Sequence, residues 1–392
     1  MDERFVVSVV KGKDVQKMVE EAVRKIGGIK TVVSPGSRVL VKPNLLKPTQ
    51  NLGVTTNPKV TEAVINLIKK ANPKEIIIAE SSEVNKDTAE SFEVSGTKAV
   101  AERTGVKFVD LKKDQIVEIK IPKGRALKKL RVPETAINCD VLINVPVMKT
   151  HIQTGVSLSM KNLKGFLPDE EKKRVHLMDL EQAIVDFNSV FKTDLVVMDA
   201  TNALEGLGPN SPPGKPVPMD LIIAGRNRLA VDMVATAIMG FEPKTLRFIR
   251  KAVTAGFGPR KIDDIEILGP RIEEVKRAFE RPPKELEPLP GVKLIVGSPC
   301  SSCIGEYSYG VFRLKSLGTL EKIKDKMNGL TIAIGPKAKD MIPKEARKNI
   351  LLLGNCLEGI CDEGAHAKGC PPFFYDSIAA LYGEKRLEEV VK

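Results

Sequence analysis

The sequence predicts an α/β protein of two domains, a larger, mostly parallel three-layer sheet domain and a smaller flavodoxin-like domain. Short apolar runs typical of buried strands alternate with stretches whose apolar residues recur at helical spacing. A chain of 392 residues is also too long for one ordinary core. The proline-rich, charged segment at 280–291 suits a domain boundary. We therefore expect domains at 1–285 and 286–392.

Six apolar runs of the first domain have the length and composition of buried strands. They are FVVSVV (5–10), RVLVK (38–42), EIIIAE (75–80), VLINVP (141–146), DLVVMDA (194–200) and DLIIAG (220–225). The intervening stretches 59–71 and 178–191 have apolar residues at helical spacing. Alternation of this kind predicts a parallel sheet covered by helices on both faces.

A second, shorter alternation follows the boundary. Its predicted strands are 292–297, 331–335 and 349–354, and its predicted helices run from Ile304 to Leu317 and onward from Phe373. About 100 residues remain for this part, which is the size of a small α/β domain.

Composition and charge narrow the function classes. Of the residues, 42% are hydrophobic and 29% charged, and the net charge is +12. No apolar run approaches the roughly 20 residues of a membrane helix, and the N-terminus lacks a secretion signal, so a cytoplasmic protein is expected. The densest basic stretch, 125–131, carries no aromatic residue, which argues against nucleic-acid binding. The basic surface suits small anionic molecules or an acidic redox partner protein.

Two further features of composition complete this description. High charge and the absence of tryptophan are typical of heat-adapted proteins, so a thermophilic origin is expected. The sequence leaves the oligomeric state open.

Five of the six cysteines lie in the smaller domain. They are Cys300, Cys303, Cys356, Cys361 and Cys370. The first two follow the strand predicted at 292–297, and Cys356 follows the strand predicted at 349–354. Ligands of an open α/β sheet collect outside the carboxyl ends of its strands, so these thiols should face one crevice. In a reducing cytosol they indicate metal ligands rather than disulfides.

Four thiolates from three chain positions suit a [4Fe–4S] cluster or an all-cysteine zinc site. Small zinc modules usually use two close cysteine pairs, and only Cys300 and Cys303 form one here, which favours the cluster. Cys361 is an extra thiol that could replace Cys356, remain free or serve an open coordination position. Cys139 stands alone before a strand and is expected in the core.

The cysteine pattern resembles that of the proximal-cluster domain in nickel–iron hydrogenase small subunits. The matching stretches are Cys300-Ser-Ser-Cys303, Gly354-Asn-Cys356 and Gly369-Cys370-Pro-Pro. The resemblance implies that Cys300, Cys303, Cys356 and Cys370 bind one [4Fe–4S] cluster, which would make this a flavodoxin-like iron–sulfur domain. It covers about the last hundred residues and departs from the pattern at Cys361. Hydrogen chemistry does not follow, since nothing in the chain matches a hydrogenase large subunit.

Polar side chains follow the strands of the larger domain, and in a parallel sheet they share one edge. Cationic and amide donors there suit a carboxylate or a phosphate. The predicted substrate-binding residues are Lys42, Asn44, Lys161, Asn162, Asp199 and Glu205. The predicted catalytic residues are His151, His176 and Lys149. Each histidine could instead be a metal ligand or cap a loop. The Gly- and Pro-rich segment 202–218 is expected to be a lid or rim loop.

The larger domain also resembles an uncharacterised family, domain of unknown function 362. The stretches that carry the resemblance are VKPNLL (41–46), VTTNPKVTEAVI (54–65), NVPVMKTHIQTGVSLSMKNLKG (144–165), His176, MDATNALEGLGP (198–209) and AGRNRLAVDMVATAIMG (224–240). Members often carry iron–sulfur segments and have no assigned reaction. The resemblance therefore implies an iron–sulfur-associated protein whose substrate is open.

Three functions remain from the sequence. The first is an iron–sulfur oxidoreductase or cluster-dependent enzyme acting on a small anionic substrate. The second is a non-enzymatic electron carrier, or a metal- or cluster-handling factor that docks to an acidic partner. The third is a zinc-stapled α/β enzyme without a redox role.

Overall fold

A computed structural model describes residues 5–283, 285–360 and 364–383. The chain divides into two compact units, Met1–Pro282 and Pro283–Lys392. Each unit has its own sheet and its own apolar core.

The larger unit contains a sheet of ten strands among the described residues. Its strands, together with the separate β5–β6 pair, are β1 (Phe5–Lys11), β2 (Arg38–Lys42), β3 (Glu75–Glu80), β4 (Lys107–Asp110), β5 (Ile116–Lys120), β6 (Lys129–Pro133), β7 (Val141–Asn144), β8 (Val147–His151), β9 (Gly155–Ser157), β10 (Leu195–Glu205), β11 (Lys215–Gly225) and β12 (Ile265–Leu268). The strand order is β12-β1-β11-β10-β7-β2-β3-β4, and β8 pairs with β10 and β9.

Helices cover both faces of this sheet. They are α1 (Val15–Lys25), α2 (Pro58–Lys69), α3 (Thr88–Val94), α4 (Thr97–Thr104), α5 (Ser159–Asn162), α6 (Asp169–Leu177), α7 (Leu180–Asn188), α8 (Arg228–Ile238), α9 (Arg247–Thr254) and α10 (Ile272–Val275). Side chains alternate along a strand. Val39 and Val41 accordingly pack beneath α1 and α2, while Leu40 packs on the face that α7 and α8 cover. The predicted three-layer α/β architecture is confirmed.

The parallel strands β2, β3, β7 and β10 form the centre of the sheet. Their carboxyl ends therefore share one edge, and β8 extends that edge because it pairs in parallel with β10 beyond the end of β7. The sheet is mixed, since β1 and β10 both pair antiparallel with β11.

The segment predicted as a lid or rim loop, 202–218, is a loop only in its central part, and its two ends are strand. β10 continues to Glu205, β11 begins at Lys215, and the two pair antiparallel through this region. Only the tip between them is a loop. The alternating side chains Ala203, Val217 and Met219 are buried in the main core, and this burial outweighs the turn-forming tendency of the nearby prolines and glycines.

The smaller unit is built on a parallel sheet of four described strands. They are β13 (Lys293–Val296), β14 (Thr331–Ile334), β15 (Ile350–Leu353) and β16 (Ala365–Ala367), and the helices are α11 (Ser301–Ser316), α12 (Thr319–Ile323) and α13 (Phe374–Leu381). The expected parallel α/β sheet is present. Its strands lie in chain order, 13-14-15-16, whereas a flavodoxin sheet has the order 2-1-3-4-5, so the likeness to flavodoxin does not extend to strand order.

Candidate functional site

A buried ion pair lies at the carboxyl edge of the large sheet. Lys42 ends β2 and Glu80 ends β3, and Lys42 Nζ lies 2.6 Å from Glu80 Oε2. The two side chains are 0% and 2% exposed. Burial lowers the pKa of Lys42, and the charge of Glu80 opposes this effect. Lys42 Nζ also donates to the Pro43 carbonyl at 2.8 Å. The charge of Lys42 is therefore compensated by groups of the protein itself.

Gly165 lets the chain approach this ion pair. A Cβ atom at that position would overlap Glu80 Oε1 and lie 2.6 Å from Lys42 Nζ. The Gly165 carbonyl accepts a hydrogen bond from the Ser81 backbone at 2.9 Å. The absence of a side chain at Gly165 therefore brings the 163–166 segment against the end of β3.

A second group of polar side chains links three chain segments through hydrogen bonds. Lys149 Nζ on β8 donates to Asn44 Oδ1 at 2.7 Å and to the Val54 carbonyl at 2.8 Å. Asn44 Nδ2 donates to Asn162 Oδ1 at 2.9 Å. Asn162 Nδ2 in turn donates to Asn144 Oδ1 at 2.7 Å. The structure thus connects Asn44, Lys149 and Asn162, three of the sequence-predicted site residues.

Lys149 is almost fully buried, with 1% of its surface exposed. Burial lowers its pKa to about 7, the charges of Lys42 and Lys47 add to this effect, and Glu80 and Glu83 oppose it. An amine with a pKa near neutrality can either donate or accept a proton under cellular conditions.

Lys161 and the two histidines lie in the same electrostatic environment. Burial lowers the pKa of Lys161 well below its usual range, and the charges of Lys164 and Lys149 lower it further. Burial likewise holds the pKa of His151 well below 6.5, with Lys161, His176 and Lys164 acting in the same direction. Burial also lowers the pKa of His176, and the charges of Lys164 and Lys161 lower it further. We call Lys149, Lys161, Lys164, His151 and His176 the lysine–histidine cluster.

His151 is held in one orientation by its own turn. Its Nδ1 accepts hydrogen bonds from the backbone N–H groups of Gln153 at 3.2 Å and Thr154 at 3.4 Å. Nδ1 is therefore unprotonated, and the neutral ring carries its proton on Nε2. The loop-capping role considered for the histidines is thus present at His151, alongside its place in the cluster.

Lys172 on α6 was missed by the sequence analysis, and it holds the end of β3. Its Nζ donates to the Ser81 carbonyl at 2.7 Å, to Ser81 Oγ at 2.5 Å and to the Ser82 carbonyl. Asp169, at 3.8 Å, supplies the opposite charge. α6 contains few apolar residues, so its sequence did not predict that Lys172 is buried.

Asp199 and Glu205 lie outside the cluster. Met198 and Ala200 pack on the face that carries Leu40 and Lys42, so the alternation along β10 turns Asp199 to the other face. There, Asp199 Oδ2 accepts from the Asn57 backbone at 2.8 Å. Asp199 lines a cavity of about 360 Å³. Glu205 accepts from the Glu280 backbone at 3.0 Å, near the end of the β10–β11 hairpin.

Four cysteines of the smaller unit follow the carboxyl ends of parallel strands. Cys300 caps the N-terminus of the 16-residue helix α11, and Cys303 lies in its first turn. A Cβ atom on Gly354 would lie 3.6 Å from Cys303 Sγ and 3.8 Å from Cys356 Sγ. These two sulfurs therefore lie close to the same glycine, which has a positive φ of 94°.

Hydrogen bonds between two loops bring Cys370 to the same edge. Asn355 N donates to the Gly369 carbonyl at 3.0 Å, and the Gly369 backbone N–H donates to Asn355 Oδ1 at 2.6 Å. A hydrogen bond with Cys300 and burial raise the pKa of Cys303, and the charges of Cys356 and Cys370 raise it further. The four thiols thus influence one another directly.

The donor set of these thiols fits a soft metal centre, although its geometry is not that of a complete site. Among the residues that the structure describes, no three His, Cys, Asp or Glu side chains are already arranged to hold a metal ion. The described cysteines form no disulfide. Burial is the main cause of the raised pKa of Cys356, while a hydrogen bond from the Gly335 backbone lowers it. A backbone donor of this kind stabilises a thiolate.

Two further cysteines and one histidine remain to be placed. Cys361 lies outside the described residues. His366 Nε2 lies 3.0 Å from the Gly354 carbonyl, so the ring contacts the backbone of the Cys356 loop. Cys139 packs against the main core of the larger unit, and burial raises its pKa to about 11.

Comparison with known proteins adds a family and a relative. A family model described as domain of unknown function 362 matches residues 39–237. A thylakoid-associated protein of Synechocystis sp. is 29% identical over 250 residues, which are 60% of this chain and 73% of that protein. In the part of the chain that the structure describes, no helix is long and apolar enough to cross a membrane.

Two solved structures show weaker similarity. The lactate racemase apoprotein from Thermoanaerobacterium thermosaccharolyticum matches with a TM-score of 0.35 and 17% identity, over 50% of this chain and 51% of that one. A structural genomics target from Thermotoga maritima matches with a TM-score of 0.32 and 10% identity, over 74% of this chain and 65% of that one. Neither similarity identifies an activity.

Proposed function

The chain belongs to the domain of unknown function 362 family, which names no reaction, and we propose from its own side chains that it is an iron–sulfur protein acting on a small anionic molecule. The observation that carries the proposal is the meeting of Cys300, Cys303, Cys356 and Cys370 at the carboxyl edge of the small parallel sheet. Ligand sites in open α/β sheets form at this edge.

The four thiols would hold a [4Fe–4S] cluster, matching the cysteine pattern of nickel–iron hydrogenase small subunits. When bound, such a cluster accepts or releases one electron at a time. The N-terminus of α11, where Cys300 and Cys303 lie, supplies backbone N–H groups and a positive helix dipole that favour anionic thiolates. An all-cysteine zinc site is the alternative for the same residues.

The larger unit would bind the anionic molecule at the lysine–histidine cluster. Asn44 and Asn162 fix Lys149 in place through the hydrogen bonds described above. His151 and His176 are held neutral by burial and by neighbouring cations, which lower the pKa of each ring. A neutral imidazole accepts a proton, and an ammonium group binds and orients an anion.

Metal analysis of the anaerobically purified protein tests the proposal. About four irons and four sulfides per chain, with a broad absorption near 400 nm, are expected for one [4Fe–4S] cluster. The Cys303→Ser variant should lose most of this iron, because Cys303 is the most buried of the four thiols and interacts with Cys300 and Cys356. Cys139→Ser is the matched control and should retain it.

Two results would contradict the proposal. One zinc and no sulfide per chain would show that the cysteines form a structural zinc site. Wild-type iron content in Cys303→Ser would show that this thiol is not a ligand.

The net charge of +12 favours a second function, a non-enzymatic electron carrier or cluster-handling factor that docks to an acidic partner. Attraction between a basic surface and an acidic one weakens as salt rises. Iron-loaded protein that forms a salt-sensitive complex with an acidic redox protein, but binds no small anion, would favour this function over the first.

A further inference from the structure

The cavity beside Asp199 is separate from the lysine–histidine cluster, since no member of that cluster lines it. Its volume of about 360 Å³ falls in the range of small-molecule sites, roughly 300–1,000 Å³. The parallel pairing of β10 with β7 ends at Val196, so Asp199 lies beyond the carboxyl end of β7. Ligands of open α/β sheets bind in this region.

Asp199 is the one charged residue that lines this cavity. Its side chain is 1% exposed, and it has no ion pair with the described part of the chain. Oδ2 accepts from the Asn57 backbone at 2.8 Å, while Oδ1 accepts from the Thr201 backbone at 2.9 Å and from the Thr201 hydroxyl at 2.7 Å. A carboxylate offers about four acceptor positions, so Oδ2 retains one for a ligand.

Neutral side chains around the cavity also have unused hydrogen-bonding groups. Thr55 and Asn202 are half-buried, and their side chains make no hydrogen bond with the residues that the structure describes. Asn57 Nδ2 makes one long contact, at 3.4 Å, with Thr201 Oγ1, and an amide nitrogen carries two N–H groups. The cavity therefore places amide donors close to a carboxylate acceptor.

A hydroxyl group is the ligand chemistry that matches this arrangement, because it both donates and accepts. An ammonium group has no acceptor for the Asn57 amide. It would also lie near the positive N-terminal ends of α2, at Asn57, and α4, at Gly96. An anion would be repelled by Asp199, and no cation lines the cavity to offset that repulsion.

Apolar groups form other parts of the wall. Pro58 and Val94 line the cavity, and Leu52, which also lines it, is 56% exposed. A ligand that covers Leu52 removes apolar surface from water, which is favourable. A sugar ring has apolar C–H faces and hydroxyl groups along its edge, so it matches both kinds of lining.

We propose that this cavity binds a neutral ring with adjacent hydroxyl groups, the chemistry that a monosaccharide and the ribose of a nucleoside share. One hydroxyl donates to Asp199 Oδ2 and accepts from Asn57 Nδ2, and the ring face packs against Leu52. The Asn202 amide binds a second hydroxyl. This second site is independent of the anion site of the proposed function.

The test is calorimetric titration of the full-length, anaerobically purified protein with ribose, glucose, adenosine and glucosamine. At least one of the first three should bind. Adenosine binding more tightly than ribose and glucose would identify a nucleoside as the source of the ring, and the reverse order a free sugar. Glucosamine carries an ammonium group in place of one hydroxyl of glucose, and it should bind no more tightly than glucose.

Two variants locate the binding. Asn202→Ala removes no protein hydrogen bond and should weaken binding of the preferred probe by about 5-fold. Asp199→Asn should weaken it by about 10-fold or more, because hydrogen bonds to a charged group are stronger. The matched control is Asn66→Ala, which changes a half-buried asparagine of α2 that does not line the cavity. Circular dichroism shows whether each variant is folded, and Asn202→Ala decides alone if Asp199→Asn is not.

Three outcomes would overturn the proposal. The first is that ribose, glucose and adenosine all fail to bind. The second is binding with wild-type affinity in every folded cavity variant, which would place the sugar elsewhere on the protein. The third is tighter binding of glucosamine than of glucose, which would assign the cavity to a cation. None of these results bears on the anion site.

Discussion

Replacing Glu80 by glutamine should destabilise the larger unit strongly, because this carboxylate receives three donors. Its Oε2 accepts from Lys42 Nζ and from the Leu45 backbone at 3.0 Å, and its Oε1 accepts from the Ser81 backbone at 2.8 Å. A glutamine has one oxygen and one amide nitrogen in these places. Either orientation therefore sets an N–H group against another donor.

The magnitude follows from burial. Lys42 is 0% exposed, and removing one partner of a buried ion pair typically costs about 3–5 kcal/mol because the remaining charge is left uncompensated. Glu75→Gln on the same strand is the matched control. Glu75 pairs with Arg38 and Lys107, whose side chains are 47% and 75% exposed, and exposed pairs of this kind contribute about 0–1 kcal/mol.

Urea unfolding followed by circular dichroism measures both variants at pH 7. Hydrogen exchange of the β3 peptides assigns the transition to the larger unit, which is needed because a chain of two units does not unfold as a single step in general. A loss in Glu80→Gln no greater than that in Glu75→Gln would refute the reasoning, since it would mean that Lys42 is not held as a charge by Glu80.

Two further predictions concern the same edge of the sheet. Gly165→Ala should cost about 1–3 kcal/mol of unfolding free energy, because its Cβ would overlap Glu80 Oε1. The control is Gly305→Ala, since no atom lies within 4 Å of a Cβ placed there. Equal urea midpoints for the two variants would contradict the expected overlap. The affinity for a small carboxylate, measured with succinate, should fall about tenfold per pH unit above the Lys149 pKa of about 7, because the free amine must then take up a proton to bind the anion. Calorimetry from pH 6.5 to 8.5 measures this slope, and Lys149→Met should abolish it; an unchanged slope in that variant would assign the proton to another group.

Much of the sheet could be predicted because its strands are short continuous apolar runs. The runs at 38–42, 75–80 and 331–335 all form strands within a residue of the expected bounds. The position of Cys300 and Cys356 after strands of the smaller unit could be predicted in the same way, because each follows a continuous apolar run. Strand order could not be predicted in this way, since it depends on crossover connections that local periodicity does not encode.

The larger site could be predicted only in part. Lys42 is the last residue of β2, where the apolar run ends, whereas Lys149 lies in the middle of β8, a strand that was not predicted. The hydrogen bond between Asn44 and Asn162 joins residues 118 positions apart. No local sequence pattern predicts such a pair. The orientation of Asp199 could have been predicted from the alternation of side chains along β10. Its apolar neighbours Met198 and Ala200 lie on the face that carries Lys42, so Asp199 lies on the opposite face.

The partners of the buried lysines support our proposal that the lysine–histidine cluster binds an anion. A lysine is among the residues least often found fully buried without a partner, and apolar residues of similar volume usually replace buried charges at no cost to folding. Lys42 and Lys172 have partners that account for their presence in the fold. Among the described residues, Glu83 is the charge that opposes the lowered pKa of Lys161, and Lys149 donates to two neutral acceptors. A fold selected for stability alone would not need a cation at either position, and this supports our proposal that an anion binds there.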